Sequence, residues 1–463
     1  MHDLVAVFDV GKTHTKLSLI AAASGEVVQA VQHVNRPRHA LGFDQLDIAG
    51  IEHWLLATLR ELPQRARITA LVPVAHGAAC VLVDAAGQLL AAPDYEDRGC
   101  DETAAAYGRE RDPFLQTLSP RLPAGQNLGA QLHFLQTCRP QLWAQVHAIL
   151  LLPQFWAWRL CGVAASEVSS LGAHTDLWLP GQGAWSALAR RRGWHALLPP
   201  LRQAGEVLGP LAPELAAATG LPPTCAVLCG VHDSNASWLA HLRSVAAGAS
   251  LTVISSGTWT IAMKSRADLA RLREDRDMLA NVDIFGQPLA TARFMGGREY
   301  AAIAAIAGSD AATPTVQDLR RVIATGAMAL PTFADAGGPF QGRAGLIQGG
   351  DELSAGERAA LASVYIALVV EVMLDLLGAS DTVVIDGPLA ANPLVPGLLA
   401  MLLPGSTRVA STPASGAGAG ALALALGDAM PPPALPDRRV EPLPLAGFSA
   451  YRSAWRARCL GQR

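Results

Sequence analysis

Two short turns carry the residues best suited to handling an anion. In "FDVGKTHTK", residues 8–16, an apolar run from Leu4 to Phe8 ends at an acid, Asp9, and gives way to Gly11, Lys12, Thr13, His14 and Thr15, a turn of small and hydroxylic residues. Such a turn can aim successive backbone N–H groups at an anion, and Lys12 and Lys16 stand in it or beside it. In "ISSGTWT", residues 254–260, Ser255, Ser256, Gly257 and Thr258 make a second turn of the same character. The first is not a Walker loop, because the GxxxxGK[ST] spacing is missing and no helix follows. After it Lys16, Leu17, Ser18 and Leu19 alternate polar and apolar, the period of a strand. The element is therefore a hairpin, and taken alone it also fits an ordinary N-terminal hairpin with a solvated lysine.

The elements that must position these turns repeat. Gly11 and Gly257 lie about half the chain apart, each in a strand–turn–strand unit, so the sequence reads as two related halves. Two facing turns of this kind could clamp a nucleotide tail, one on the γ-phosphate and one on the β-phosphate, in a cleft between domains. The stretch "VVIDGPLAANPL", residues 383–394, reads as strand, turn and helix start, and belongs with the outer end of such a ligand. "ASGAGAGALALALG", residues 414–427, lets two backbones pack closely, or is simply a low-complexity helix start. Elsewhere the order is α/β. Strands are expected in 67–77 and 80–90, a helix around 51–62, mostly helix over 126–162, and then a strand "CAVLCGVHD" and a helix "SNASWLAHL" through residue 242.

Composition excludes several classes. With 463 residues, 51% of them hydrophobic and 16% charged, the chain suits two buried-core domains and not disorder. A net charge of −3 offers no broad attraction for nucleic acid or an anionic membrane. The seven cysteines have no paired CxxC spacing, and Cys225 and Cys229 find no His-x₃-His partner, so core thiols of a reduced, cytoplasmic protein are expected in place of zinc. The N-terminus lacks the basic region of a signal peptide. The most apolar window, residues 361–378, carries Glu371 and Asp375 four apart, which favours a buried, one-sided helix over a membrane span.

Taken in order, "FDVGKTHTK", "ALVPVAHGAACVLVDAAGQLL", "YEDR", "LLPQFWAWRLCG", "EVSSLGAHTDLW", "GVHDSNAS", "SSGTWT", "DGPLAANPL" and "SGAGAGALALA" give the chain, over nearly its whole length, a resemblance to the FGGY carbohydrate kinases. "SSGTW" and "YED" look most like the rhamnulokinase branch; the opening loop does not. The resemblance implies an α/β fold of two actin-like (ribonuclease H-like) domains with a deep inter-domain cleft, here 1–244 and 245–463. It implies ATP- and Mg²⁺-dependent phosphorylation of a small ketose or polyol, with L-rhamnulose, L-fuculose and xylulose as candidates, by a cytoplasmic protein that could form a homodimer. The alternative is an actin-fold ATPase acting as a sensor or chaperone-like protein, but no residues remain for a peptide-binding domain.

The same resemblance assigns roles. Asp233 becomes the general base for the attacking hydroxyl, its competing reading being a helix N-cap. Asp9 becomes the acid that holds Mg²⁺ through water. Gly11, Thr13 and Thr15 meet the γ-phosphate with Lys16 at the family's cation position. Lys12 departs from the family's small residue and is either a second phosphate contact or solvated. Gly257 and Thr258 meet the β-phosphate, and Gly387 and Asn392 the adenosine, where Pro388 stands in place of an expected glycine. The sugar is expected at His76 and Gly77, where much of the family has Gln at the first, and at Asp97, Gln154 and His174. Trp156 and Trp158 are expected in the core.

Overall fold

The computed structural model describes residues 3–242, 245, 248–305, 312–335, 337–379, 382–403, 407–410, 416–427 and 437–461. The chain forms two units: one of residues 1–240, 280–289 and 413–434, the other of 241–279, 290–412 and 435–463. The boundary expected at 244 lies outside the described residues. Both later returns of the chain to the first unit were absent from the two-segment expectation.

The first unit is built on Leu4–Val10, whose residues from Leu4 to Phe8 are all buried. This strand pairs antiparallel with His14–Ala21 and parallel with Ile68–Ala75. Val27–Val34 extends the sheet on one side, and Ala226–Leu228 and Val207–Pro210 on the other. Strands buried on both faces read as continuous apolar runs, and two layers cover this one. On one face the helix Ile48–Glu61, capped by Asp47, buries Ile48, Ile51, Leu55 and Leu59 in a core with Leu4, Ala6 and Phe8. On the other, the helix Gly416–Leu426 packs Ala417, Ala421 and Leu422 among Val5, Val7, Val72 and Val74. Trp156, fully buried, meets Phe8 edge to face at 5.1 Å, as expected of a core residue, whereas Trp158 is only partly buried.

Two readings change. The helical stretch expected over 126–162 is interrupted by a strand, Ala148–Leu151, which pairs with Cys80–Val83. A four-residue apolar run cannot be assigned by periodicity, and pairing with a second buried strand decides it. Residues 80–90 form two strands, Cys80–Val83 and Leu89–Ala91, folded back on each other.

The second unit repeats the pattern. Leu251–Ser256 pairs antiparallel with Thr260–Lys264 and parallel with Thr382–Asp386. Beneath lies the helix Ala355–Leu377, opened by a capping box of Ser354 and Glu357. It is long and apolar enough to cross a membrane, but 89% of its most apolar window is buried within the fold. It is not one-sided: Glu371 is itself buried and receives Arg452 Nε at 2.7 Å and Arg456 at 3.2 Å.

Candidate functional site

Register brings the acids together. Asp9 lies opposite Val74 on the parallel strand Ile68–Ala75, and Val231 lies opposite the same Val74. Three parallel segments thus end side by side, and the residues just past their carboxyl ends are Gly11, His76 and Asp233. Ligands of open α/β sheets gather at such carboxyl ends. Gly230 makes the arrangement possible: its φ of 88° and the approach of Pro73 O, 2.5 Å from where a Cβ would stand, leave room only for glycine. Gln154, fully buried, donates to the carbonyls of Cys229 and Gly230 at 3.2 Å each, so it braces this loop from within.

Asp9 is partly exposed at its strand end. Loss of water around it, reinforced by the negative charge of Asp233 and opposed by Lys16, pushes its carboxyl up to about 7. Lys16 stands directly across the hairpin from it. Asp233 opens the helix Asp233–Leu242; its Oδ1 accepts from Ser234 N and Ser234 Oγ, and His232 Nε2 lies 3.2 Å from the same oxygen. His76, buried, gives Nδ1 to the Gly77 carbonyl at 2.9 Å while its Nε2 has no partner among the described residues. Burial holds its imidazole below the usual histidine range, against the opposing charges of Asp233 and Asp94.

The turn itself is latched by a residue that sequence reasoning missed. Asn35 donates to Gly11 O at 2.7 Å, accepts the Thr15 hydroxyl at 2.9 Å, and donates its own N–H to Thr13 O. Thr15 is therefore buried, its hydroxyl spent on Asn35, whereas Thr13 is exposed. Lys12 is neither solvated nor free: it is paired with buried Asp94, lies 3.5 Å from Glu96 and sits 5.3 Å from the centre of the Tyr95 ring, which in turn meets His76 edge to face. Asp94, one residue before the "YED" motif, is thus the buried acid paired with Lys12, with the more exposed Glu96 beside it.

The other residues expected at the sugar make these contacts within the fold. Asp97 accepts from Gly99 N at 2.7 Å and Asp44 N at 2.8 Å, capping a short helix. His174, at φ 45°, holds the Gln126 carbonyl at 2.8 Å. Gly77 adjoins His232 and Ala173, each 3.0 Å from where a Cβ would be.

In the second unit Gly257 and Thr258 are exposed at the turn of the hairpin, where Gly257 N donates to Trp259 O. Trp259 is backed by Arg293 at 4.6 Å. Gly387, at φ 80°, lies so close to Ser256 that a Cβ would sit 2.2 Å from its carbonyl oxygen. Ser256 Oγ, donating to Asp386 O and accepting from Leu389 N, ties the turn to the strand Thr382–Asp386. Asn392 is occupied internally, accepting from Leu394 N and Val395 N and donating to Ser363 Oγ. Pro388 opens the short helix Pro388–Ala391, where its missing N–H costs nothing.

A hairpin beside a parallel strand, duplicated in both units, with paired acids at the strand ends of the first, defines an actin-like α/β protein. Residues 4–240 match the N-terminal domain of the FGGY family of carbohydrate kinases, and residues 248–433 match the carbohydrate kinase FGGY C-terminal domain. The chain belongs to the FGGY family. A carbohydrate kinase from Novosphingobium aromaticivorans has a similar structure, with a TM-score of 0.88, 36% identity and 99% of both chains covered. The xylulose kinase from Rhodospirillum rubrum shares the fold at a TM-score of 0.77 and 19% identity, over 98% of each chain. L-Fuculokinase of Haemophilus influenzae is 31% identical over 135 residues, which is 29% of this chain and 27% of that protein. The chain spans about half the length, or less, of the curated relatives it matches.

Proposed function

We propose that this protein transfers the terminal phosphoryl group of ATP to a hydroxyl of a small ketose or polyol, with Asp233 as the general base. The observation that carries this reading is the convergence of Asp9 and Asp233 at strand ends on either side of Ile68–Ala75 in the first unit, beside a turn whose backbone is held by Asn35. Phosphoryl transfer asks the protein for positioning and electrostatic stabilisation, and for a carboxylate to take the hydroxyl proton. Oδ1 of Asp233 accepts two hydrogen bonds from Ser234 and is faced by His232 Nε2, which leaves Oδ2 to receive that proton.

The residues fit Mg²⁺. Desolvation and the charge of Asp233 raise the Asp9 carboxyl to about 7, and a divalent cation bound beside it would draw it into its ionised form. An ion that takes most of its ligands from water and phosphate oxygens needs no denser cluster of protein ligands. Bound there, it would offset charge on the transferring phosphate, while Gly11 and Thr13 orient that group. In the second unit Gly257, Thr258 and Gly387 remain the residues assigned to the rest of the nucleotide. L-Fuculose, L-rhamnulose and xylulose are the first sugars to test, since the relatives named above include an L-fuculokinase and a xylulose kinase.

The test is ADP release, followed with a coupled assay over pentuloses, 6-deoxyketoses and polyols. Sugar-dependent turnover that falls by about 10² to 10⁴ in Asp233→Ala, with ATP binding retained, is expected. ATP hydrolysis indifferent to every sugar would defeat the reading in favour of an ATPase.

A further inference from the structure

We infer that His232 is a positioning residue for the carboxylate of Asp233, locked by Asn235 into the tautomer that donates from Nε2. This rests on the reading of Asp233 as the base. His232 is almost fully buried and Asn235 fully so. Nε2 of His232 lies 3.2 Å from Asp233 Oδ1, and Nδ1 lies 3.0 Å from the side-chain nitrogen of Asn235.

The proton positions follow from what each atom can do. An ionised carboxylate only accepts, so the imidazole nitrogen facing it must carry the hydrogen. Burial holds His232 below the usual histidine range and keeps it neutral, so Nδ1 has a lone pair, and only an N–H of Asn235 satisfies it. The reverse arrangement would point a nitrogen lone pair at a carboxylate in a dry site. Asn235 is in turn part of the helix that Asp233 opens, two residues further on, so the donor that sets the tautomer moves with the base it serves.

The backbone that carries the imidazole is also held. The His232 backbone N–H donates to Ser169 Oγ at 3.3 Å, and that hydroxyl donates to buried Glu167 at 2.6 Å. The face above the ring is kept open by Gly77, where a Cβ would stand 3.0 Å from His232 Nε2. This gives Gly77 a physical reason of its own, separate from sugar contact. With Oδ1 held by Ser234 N and Oγ and faced by His232 Nε2, rotation of the carboxylate is opposed and Oδ2 is turned to one side. Holding a reacting group to within a fraction of an ångström is worth up to about 10²-fold in rate.

The experiment compares His232→Leu, His232→Gln and Asp233→Asn in the intact protein with ATP, Mg²⁺ and its best sugar. A glutamine amide can reach the place of imidazole Nε2 and donate from it; leucine fills the space and cannot. The expected result is an inactive Asp233→Asn and a kcat at least about tenfold lower in His232→Leu, with both KM values within about twofold, and recovery to within about threefold of the parent in His232→Gln. Equal losses in the leucine and glutamine variants mark a merely structural role and overturn the inference. So does full activity in His232→Leu beside an inactive Asp233→Asn, which leaves the base reading intact. An active Asp233→Asn overturns both. Should the leucine variant fail to fold, ¹⁵N resonances of histidine-labelled parent protein decide: a protonated Nε2 and bare Nδ1 at His232 support the inference, and the opposite tautomer refutes it.

Discussion

Gly420 stands in the glycine-rich helix Gly416–Leu426, where the backbone of the helix bearing Asp233 comes closest. A Cβ added there would lie 1.9 Å from the carbonyl oxygen of Ala236 and 2.6 Å from its carbonyl carbon. Ordinary contact begins near 3.4 Å, so the two helices must separate by about 1.5 Å for Gly420→Ala to be accommodated. The obstacle is backbone, which cannot turn aside as a side chain would. Overpacking of this kind costs about 1–3 kcal/mol. The larger effect falls on the site, because Ala236 lies less than one turn from Asp233 on the same helix. A shift of even 1 Å in a reacting group costs about 10² in rate. Gly420→Ala is therefore expected to lower kcat by one to two powers of ten and to lower the midpoint of urea unfolding, with circular dichroism otherwise preserved. Gly181→Ala, at a position where nothing lies within 4 Å of an added Cβ, is the control. If Gly420→Ala matches the control in both kcat and unfolding midpoint, the close approach of these helices is not a constraint and the reasoning fails.

Other perturbations follow from the same geometry. Lys12→Met leaves buried Asp94 without its cation and should destabilise the first unit by about 1–3 kcal/mol; the double variant with Asp94→Asn should recover much of the loss in urea unfolding, and additive losses would refute the pairing. Glu299, buried and held above its ordinary value by desolvation, keeps its proton in the folded state to higher pH than in the unfolded chain, so it costs stability as pH rises from about 4.5. Glu299→Gln should thus raise the Tm at pH 8 and lose that advantage toward pH 4.5; a difference independent of pH would contradict this. Burial pushes the thiols of Cys80, Cys100 and Cys225 up to about 12, so native alkylation at pH 8 should reach Cys138 and Cys161 first, as peptide mass spectrometry would read; early labelling of Cys80 would show the first unit opening.

The hairpins were legible because alternation in Lys16–Leu19 and the apolar run ending at Asp9 are local signals, and the structure forms both pairs. The strand before Asp233 was legible for the same reason, although Gly230 breaks it in two. Side-chain destinations were not. Nothing in the order Asp94, Tyr95, Glu96, Asp97 says that the first acid meets Lys12 while the last caps a helix; that depends on which side of a turn each leaves. Thr15 and Asn35 are far apart in sequence and meet only through strand pairing. His232 adjoins a residue singled out from the start, yet its function rests on Asn235 returning one helical turn later. The glycines of 416–427 announced a close approach without naming the backbone approached.

The returns of the chain to the first unit bear on how the protein is made. The helix Gly416–Leu426 covers one face of the sheet begun by Leu4–Val10, so the apolar side chains of Val5, Val7, Val72 and Val74 await a partner synthesised about 170 residues after the main segment of that unit ends at Ala240. At a translation rate of about 5–20 residues per second, that face stays uncovered for roughly 10–40 s on the ribosome. A gene cut after the first 240 codons would leave it uncovered for good. The two halves that the hairpins suggest are repeats in sequence, but as folding units they are interleaved, and neither can be inherited or exchanged without a piece of the other.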